Sequence, residues 1–260
     1  SNAIKELESS LDVQLVDRTN RQVPITAVGQ QIATQARLVL RDNDGLIELA
    51  GGGKQPMTGD LRLGVIPTIA PFLLPRILPK LRKKFPELRL FLIEDETDRL
   101  HERLMDGELD VLLLALPWEL RGVDVRNLFR DPFRLACRDG TDRVDPGNYR
   151  FNRLDADSIL LLEDGHCLRD HALAACKIRN TQKVQRFAAS SLLTLIEMVD
   201  ADLGITFLPA MAEGSSLLTN TRVKLYPLAE SSYRSIGLAW RKGSGRVDEF
   251  KMLGSFLAKN

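Results

Sequence analysis

The chain has 260 residues, 44% hydrophobic and 27% charged, the balance of a folded globular protein rather than a disordered or collagen-like one. Lys+Arg 36 against Asp+Glu 35 leaves a net charge of +1, so no chain-wide basic surplus marks a nucleic-acid binder, although a local one stays open. Three cysteines are too few for a disulfide scaffold, and apolar runs such as Val111–Leu116 fall far short of the ~20 residues of a membrane-spanning helix.

Residues 4–26 open on a helix-like pattern, with Ile4, Leu7, Leu11 and Leu15 near the helical period. The apolar runs 13–16 and 23–25 then flank the polar stretch Asp17-Arg18-Thr19-Asn20-Arg21-Gln22, as in a small hairpin. A piece this small buries no core of its own; it packs on something else or is the remainder of a larger domain. Residues 27–50 carry Val28, Ile32, Ala36, Val39, Leu40, Leu46, Ile47 and Ala50 as one stripe of period near 3.6, with Thr26 placed to cap the helix. Two readings stand for that stripe: packing against a second copy of itself, or lying on its own domain. Gly51-Gly52-Gly53, Pro56 and Gly59 mark a linker over 51–60.

Beyond residue 61 the chain alternates. Strands are predicted over 61–66 and 88–94 with a helix over 69–85 between them, punctuated by prolines near its ends. A helix over 98–105 and a strand over 110–116 follow, the strand apolar enough for burial on both faces. A second block has strands over 132–137 and 158–162, helices over 168–177 and 191–200, and a strand over 205–208. A late strand over 235–240 and a helix over 248–257 close the chain. The fold class is α/β, in two blocks with a cleft between two lobes. Lobe I is expected over about 61–130 plus 237–260, and lobe II over about 131–236.

Cys167 and Cys176 sit in Gly165-His166-Cys167-Leu168-Arg169-Asp170-His171-Ala172-Leu173-Ala174-Ala175-Cys176. Cys167 starts the predicted helix, where unpaired N–H groups and the helix dipole favour a thiolate, with His166 and Arg169 beside it to add to this. Cys176 shares a helix face with Leu168, Ala172 and Ala175 and points towards a core. Nine helical steps hold the two Cα atoms roughly 13 Å apart, whereas a disulfide needs them within about 7 Å. If the two bond, the helix between them unwinds or bends, and a covalent event becomes a change of shape. The alternative stays open that they are buried small hydrophobes, as free cysteines commonly are. Cys137, ending the apolar run 133–136, belongs to the core. A zinc site with His166 and His171 matches no usual ligand spacing.

Thr68 and Thr97 each follow a predicted strand and open the next helix. That is the place of an N-cap and, in parallel α/β sheets, of contacts to ligands beyond the strand ends. Arg234, before the late strand, is either a charge partner for a thiolate or a solvated arginine. His101 is placed on the surface, and Glu94-Asp95-Glu96 reads as a solvated strand end. With no P-loop, dinucleotide-binding glycine pattern, nucleophile-elbow serine or zinc-protease motif, neither cofactor nor metal is expected. Ser1-Asn2-Ala3 reads as a cloning scar, no signal peptide follows it, and a cytoplasmic protein without membrane contact is expected.

The run Leu15-Val16-Asp17-Arg18-Thr19-Asn20-Arg21-Gln22-Val23-Pro24-Ile25-Thr26-Ala27-Val28-Gly29 resembles the wing of the winged helix-turn-helix in LysR-type transcriptional regulators. Gly204-Ile205-Thr206-Phe207-Leu208-Pro209 fits the same family, and the order of elements matches over essentially the whole chain. The resemblance implies a remnant of a DNA-binding domain over 4–26 and a linker and dimerisation helix over 27–50. Residues 61–260 would form a two-lobed regulatory domain built like a periplasmic solute-binding protein, from two Rossmann-like subdomains. Leu162-Glu163-Asp164-Gly165-His166-Cys167-Leu168-Arg169-Asp170 with Cys176, and Ile66-Pro67-Thr68 with Pro71 and Leu73-Leu74-Pro75, are similar to the peroxide-sensing members of that family.

Carried across, the resemblance makes Cys167 the peroxide-reacting thiolate and Cys176 its disulfide partner, with Thr68, Thr97, His166 and Arg234 around the peroxide. It implies hydrogen peroxide, promoter DNA, RNA polymerase, a homodimer or homotetramer, and glutaredoxin or thioredoxin as reductant. The protein would be no enzyme. Residues 4–26 hold Lys5, Arg18 and Arg21 against Glu6, Glu8, Asp12 and Asp17, so this segment is expected to bind DNA poorly, with Arg18 and Arg21 limited to phosphate contacts. Two alternatives remain: a LysR-type regulator that binds a metabolite in the interlobe cleft, and a thiol peroxidase, against which the wing and long helix count.

Overall fold

A computed structural model describes residues 2–18, 23–49, 56–175, 181–228 and 232–259. Helix α1 (Asn2–Leu11) leads into an antiparallel bridge between Val16 and Ile25, where the Asp17 N–H also donates to the Pro24 carbonyl at 2.8 Å. This is the base of the predicted hairpin; its tip, with Arg21, lies outside the described residues. Helix α2 (Ala27–Leu49) starts where the sequence places its cap, the Gly29 N–H donating to Thr26 Oγ1 at 2.9 Å. Val28, Val39, Leu40 and Leu46 of its apolar stripe are exposed.

Strands β1 (Gly59–Val65), β2 (Leu88–Glu94) and β3 (Val111–Leu116) alternate with α3 (Ala70–Lys84) and α4 (Thr97–Met105). The long β4 (Val123–Arg138) follows, then β5 (Ile159–Leu162), α5 (Cys167–Ala175), β6 (Val184–Ala189) and α6 (Leu192–Asp200). The chain ends on β7 (Thr206–Pro209), the short α7 (Ser216–Thr219), β8 (Val223–Pro227), β9 (Tyr233–Arg241) and α8 (Val247–Leu257).

In one lobe β1 pairs in parallel with both β2 and β3, and β9 runs antiparallel to β3. All six residues of β3 are buried, as its unbroken apolar run requires of a central strand covered on both faces. In the other lobe β4 pairs with β7 and β8, while β5 and β6 are parallel and a bridge from Ile159 to Ile205 joins them to the approach of β7. The chain passes between the lobes on β4 and returns on β9, the two strands pairing antiparallel from Val123–Arg241 to Pro132–Tyr233. The molecule is therefore α/β and two-lobed, its lobes sharing one buried apolar cluster.

Several elements differ from the sequence reading. β4 begins at Val123, well before the predicted strand at 132, because its first half is charged: Asp124, Arg126 and Arg130 interrupt the apolar pattern. Arg126 is satisfied from across the chain, donating to the Lys251 carbonyl and the Ser255 hydroxyl on α8. β6 and β8 were not anticipated either; Lys224, Gln185 and Arg186 give them no clean alternation. Pro75 and Pro79 lie inside α3 rather than near its ends, and each removes a backbone donor there.

Gly237, on the return strand, faces the other crossing strand closely: a Cβ there would lie 2.9 Å from the Arg126 carbonyl oxygen and 2.6 Å from Leu116 Cδ1. Backbone cannot yield as a side-chain tip can. Gly237→Ala is expected to destabilise the fold by about 1–3 kcal/mol, read as a lowered denaturation midpoint at unchanged denaturant slope.

Candidate functional site: a buried thiol between the two lobes

Four predicted residues meet where the lobes face each other. Thr68 follows β1, Thr97 opens α4, Cys167 opens α5 and Arg234 is the second residue of β9; their exposures are 1%, 1%, 2% and 2%. Together with Ile66, Pro67, Glu96, Gly165 and His166, the first three line a narrow cleft. The parallel strands β1 and β2 both point their carboxyl ends at it, the usual place for ligand contacts in such sheets.

Neither threonine acts as a helix cap. The cap position of α3 is Ile69 and that of α4 is Glu96, and no side-chain hydrogen bond forms at either. Thr68 instead serves Arg234, whose Nη1 donates to its Oγ1 at 2.9 Å and whose Nη2 donates to its carbonyl at 2.8 Å. Thr97 Oγ1 is buried and has no hydrogen-bond partner among the described oxygen and nitrogen atoms.

The guanidinium is held on every side. Nε donates to Asp131 Oδ2 at 3.0 Å and Nη2 lies 3.6 Å from Met211 Sδ, while Asp131 Oδ1 accepts from the Met211 N–H at 3.1 Å. Burial raises the Asp131 carboxyl's pKa, opposed by Arg234 and by the Met211 and Ala210 N–H groups. Asp131 escaped the sequence reading because a lone aspartate amid the charges of β4 carries no motif; only the pairing with β9 brings it to Arg234.

The sequence places Cys167 at a thiolate-favouring helix start, with Arg169, His166 and Arg234 as candidate partners; burial opposes that expectation, and of the two arginines it is Arg234 that acts on the thiol. Burial dominates and pushes the Cys167 thiol up; Arg234 and the hydroxyls of Thr97 and Thr68 pull the other way. Arg169 turns away, pairing with Asp164 at 2.9 Å and donating to the Leu162 carbonyl. His166 lines the cleft, half-buried. Cys167 is a free thiol, and Cys176 lies outside the described residues.

Glu96, expected as part of a solvated strand end, is half-buried against the turn before Cys167. There Gly165 has φ +100°, so this turn needs glycine for its dihedral, and a Cβ would press on the Glu96 carboxylate at 3.0 Å. Cys137 is fully buried as expected, its thiol pushed up to about 11 by burial and by Asp202 and Asp139. His101 sits on α4 with Nε2 2.8 Å from the Arg121 carbonyl. In the N-terminal segment Arg18 pairs with Glu8 at 2.6 Å, and Glu8 also accepts the Leu15 and Val16 N–H groups. Among the described residues no group of three or more metal-ligating side chains occurs and no helix is long and apolar enough to cross a membrane.

The family model for the LysR substrate binding domain matches residues 54–259. The chain belongs to the LysR family. Among curated LysR-type relatives it is 38% identical over 260 residues to the HTH-type transcriptional regulator EstR of Acinetobacter baylyi, covering all of this chain and 86% of that protein. It is equally 38% identical over 253 residues to the DNA-binding transcriptional dual regulator OxyR of Escherichia coli, covering 97% and 83%. Among solved structures it resembles a full-length OxyR variant from Pseudomonas aeruginosa with TM-score 0.82 at 31% identity, over 98% of this chain and 83% of that one. The reduced regulatory domain of OxyR2 from Vibrio vulnificus aligns with TM-score 0.76 at 40% identity, over 79% of this chain and 97% of that one.

Removing one partner of a buried ion pair strands the other charge. Asp131→Ala is expected to destabilise this LysR-type fold by about 3–5 kcal/mol, measured by thermal or denaturant unfolding. Cys137 is expected to stay unmodified by iodoacetamide in the folded protein at neutral pH and to react once guanidinium unfolds it, counted by mass spectrometry.

Proposed function

We propose that this chain is the sensing part of a peroxide-responsive LysR-type transcriptional regulator, with Cys167 the thiol that meets hydrogen peroxide. The observation that carries the reading is the placement of Cys167 at the first residue of α5, against Thr68, Thr97 and Arg234, in the cleft between the lobes. The likeness to OxyR proteins supports it, and one solved relative of 31% identity, an OxyR variant from Corynebacterium glutamicum, is described as bound to H2O2. The Cys167 thiolate attacks one peroxide oxygen, the O–O bond breaks, and the hydroxide that leaves takes a proton to become water. A sulfenic acid remains. Arg234 and the buried Thr97 hydroxyl are placed to bind the peroxide and the charge that develops on its departing oxygen.

In this reading Cys176 then attacks the sulfenic sulfur, water leaves, and a disulfide closes. Eight helical steps along α5 keep residues 167 and 175 roughly 12 Å apart, so a bond from Cys167 to the next residue after α5 unwinds that helix. The altered lobe surface would change how subunits of a homodimer or homotetramer pack and how the assembly sits on promoter DNA and engages RNA polymerase. Glutaredoxin or thioredoxin would restore the thiols in a cytoplasmic setting. Regulation by another signal is the competing reading, because EstR, bearing a different name, is as similar over the whole chain as OxyR.

With stoichiometric hydrogen peroxide, Cys167→Ser should form no intramolecular disulfide, and Cys176→Ser should stop at a sulfenic acid on Cys167 trapped by dimedone. Mass spectrometry of the two variants checks this; a disulfide between other cysteines in Cys167→Ser would refute the assignment.

A further inference from the structure

We propose that His171 is the proton acceptor for Cys167. The inference deepens the peroxide reading and rests on it for the identity of the oxidant. Both residues belong to α5, four positions apart, and such pairs are neighbours on one helix face with Cβ atoms about 6 Å apart. Both are buried, His171 at 9% exposure. The imidazole Nε2 lies 3.0 Å from the Pro117 carbonyl, which can only accept, so Nε2 carries the hydrogen. Nδ1 is then a bare lone pair. It is buried and has no hydrogen-bond partner among the described residues, an arrangement that costs stability and that a merely structural histidine would avoid.

The charges that act on this imidazole are few. From β9, Arg234 reaches both His171 and Cys167, with Asp131 of β4 behind it; from α5 itself comes Asp170. Burial lowers the His171 pKa below the ordinary value, with the Pro117 carbonyl opposing, Arg234 reinforcing and Asp170 opposing. The imidazole is therefore neutral near pH 7 and able to take a proton. Cys167 has the complementary need: burial favours its protonated form, which is a poor nucleophile.

The step balances. Nδ1 takes the Cys167 proton, the thiolate attacks one oxygen of hydrogen peroxide, the S–O bond forms and the O–O bond breaks. The departing hydroxide takes the proton back from the imidazolium and leaves as water. Sulfur is oxidised from thiol to sulfenic acid and peroxide is reduced to water. In the sequence His171 stands out only as a poor zinc candidate.

The test measures second-order rates of Cys167 modification in the whole chain by hydrogen peroxide and, separately, by methyl methanethiosulfonate, a small thiol reagent that is no peroxide. Both are followed across the pH range spanning the ordinary histidine and thiol values. Because the base form is lost on acidification, wild-type rates with both reagents should fall as pH drops through the depressed His171 value. His171→Gln retains a donor for Pro117 but cannot take the proton. It should lose that acid limb and react about 100-fold more slowly near neutrality, the lower end of what general acid–base assistance contributes. An unchanged rate and profile in His171→Gln, or a wild-type profile without the acid limb, overturns the proposal. A His171-dependent limb with the thiosulfonate but no reaction with peroxide upholds His171 and overturns the peroxide reading instead.

Discussion

One desolvated guanidinium organises the interlobe site. Arg234 begins the return strand β9, reaches Asp131 on the outgoing strand β4, and takes hold of Thr68 at the end of β1. Three stretches distant in sequence are thereby locked at the point where the chain changes lobe. Such a buried pair contributes little net stability against an apolar equivalent, since both charges are stripped of water. What it supplies is a positive charge fixed in a medium of low dielectric, where it acts strongly on the thiol across the cleft.

The thiol is the counterweight. α5 carries Cys167 at its first turn, and the Gly165 turn before it lies against the Glu96 side chain at the start of α4. Burial and guanidinium therefore push the thiol in opposite directions, and the balance between them sets how readily it ionises. A group poised this way responds to small changes in its surroundings. A helix of nine residues, with the thiol at one end, is a structure that either exists whole or unwinds.

Much of the fold was legible along the chain. β3 announces itself as six consecutive apolar residues, and α6 by its Ser191 cap and apolar face. The N-cap at Thr26 and the hairpin base at Val16 and Ile25 were local signals read correctly for the same reason: the interactions close within a few residues. The first half of β4 was not legible, because its pairing partner β9 comes from far along the chain and its Arg126 finds acceptors on α8, at Ser255 and the Lys251 carbonyl; β6 and β8 lack a clean alternation.

At the site the division is the same. Residue types alone placed Thr68 and Thr97 after strands and Cys167 at a helix start, since backbone periodicity and turn chemistry determine such positions. Arg169 and Arg234 both stand as charge partners in the sequence, because adjacency along the chain is visible and adjacency in space is not. Which arginine faces the sulfur, whether that sulfur is dry, and that Asp131 stands behind that arginine were decided only by the packing of two lobes around two antiparallel crossing strands. Desolvation and Coulomb interactions depend on distance through the packed interior, and a linear order of residues does not contain that distance.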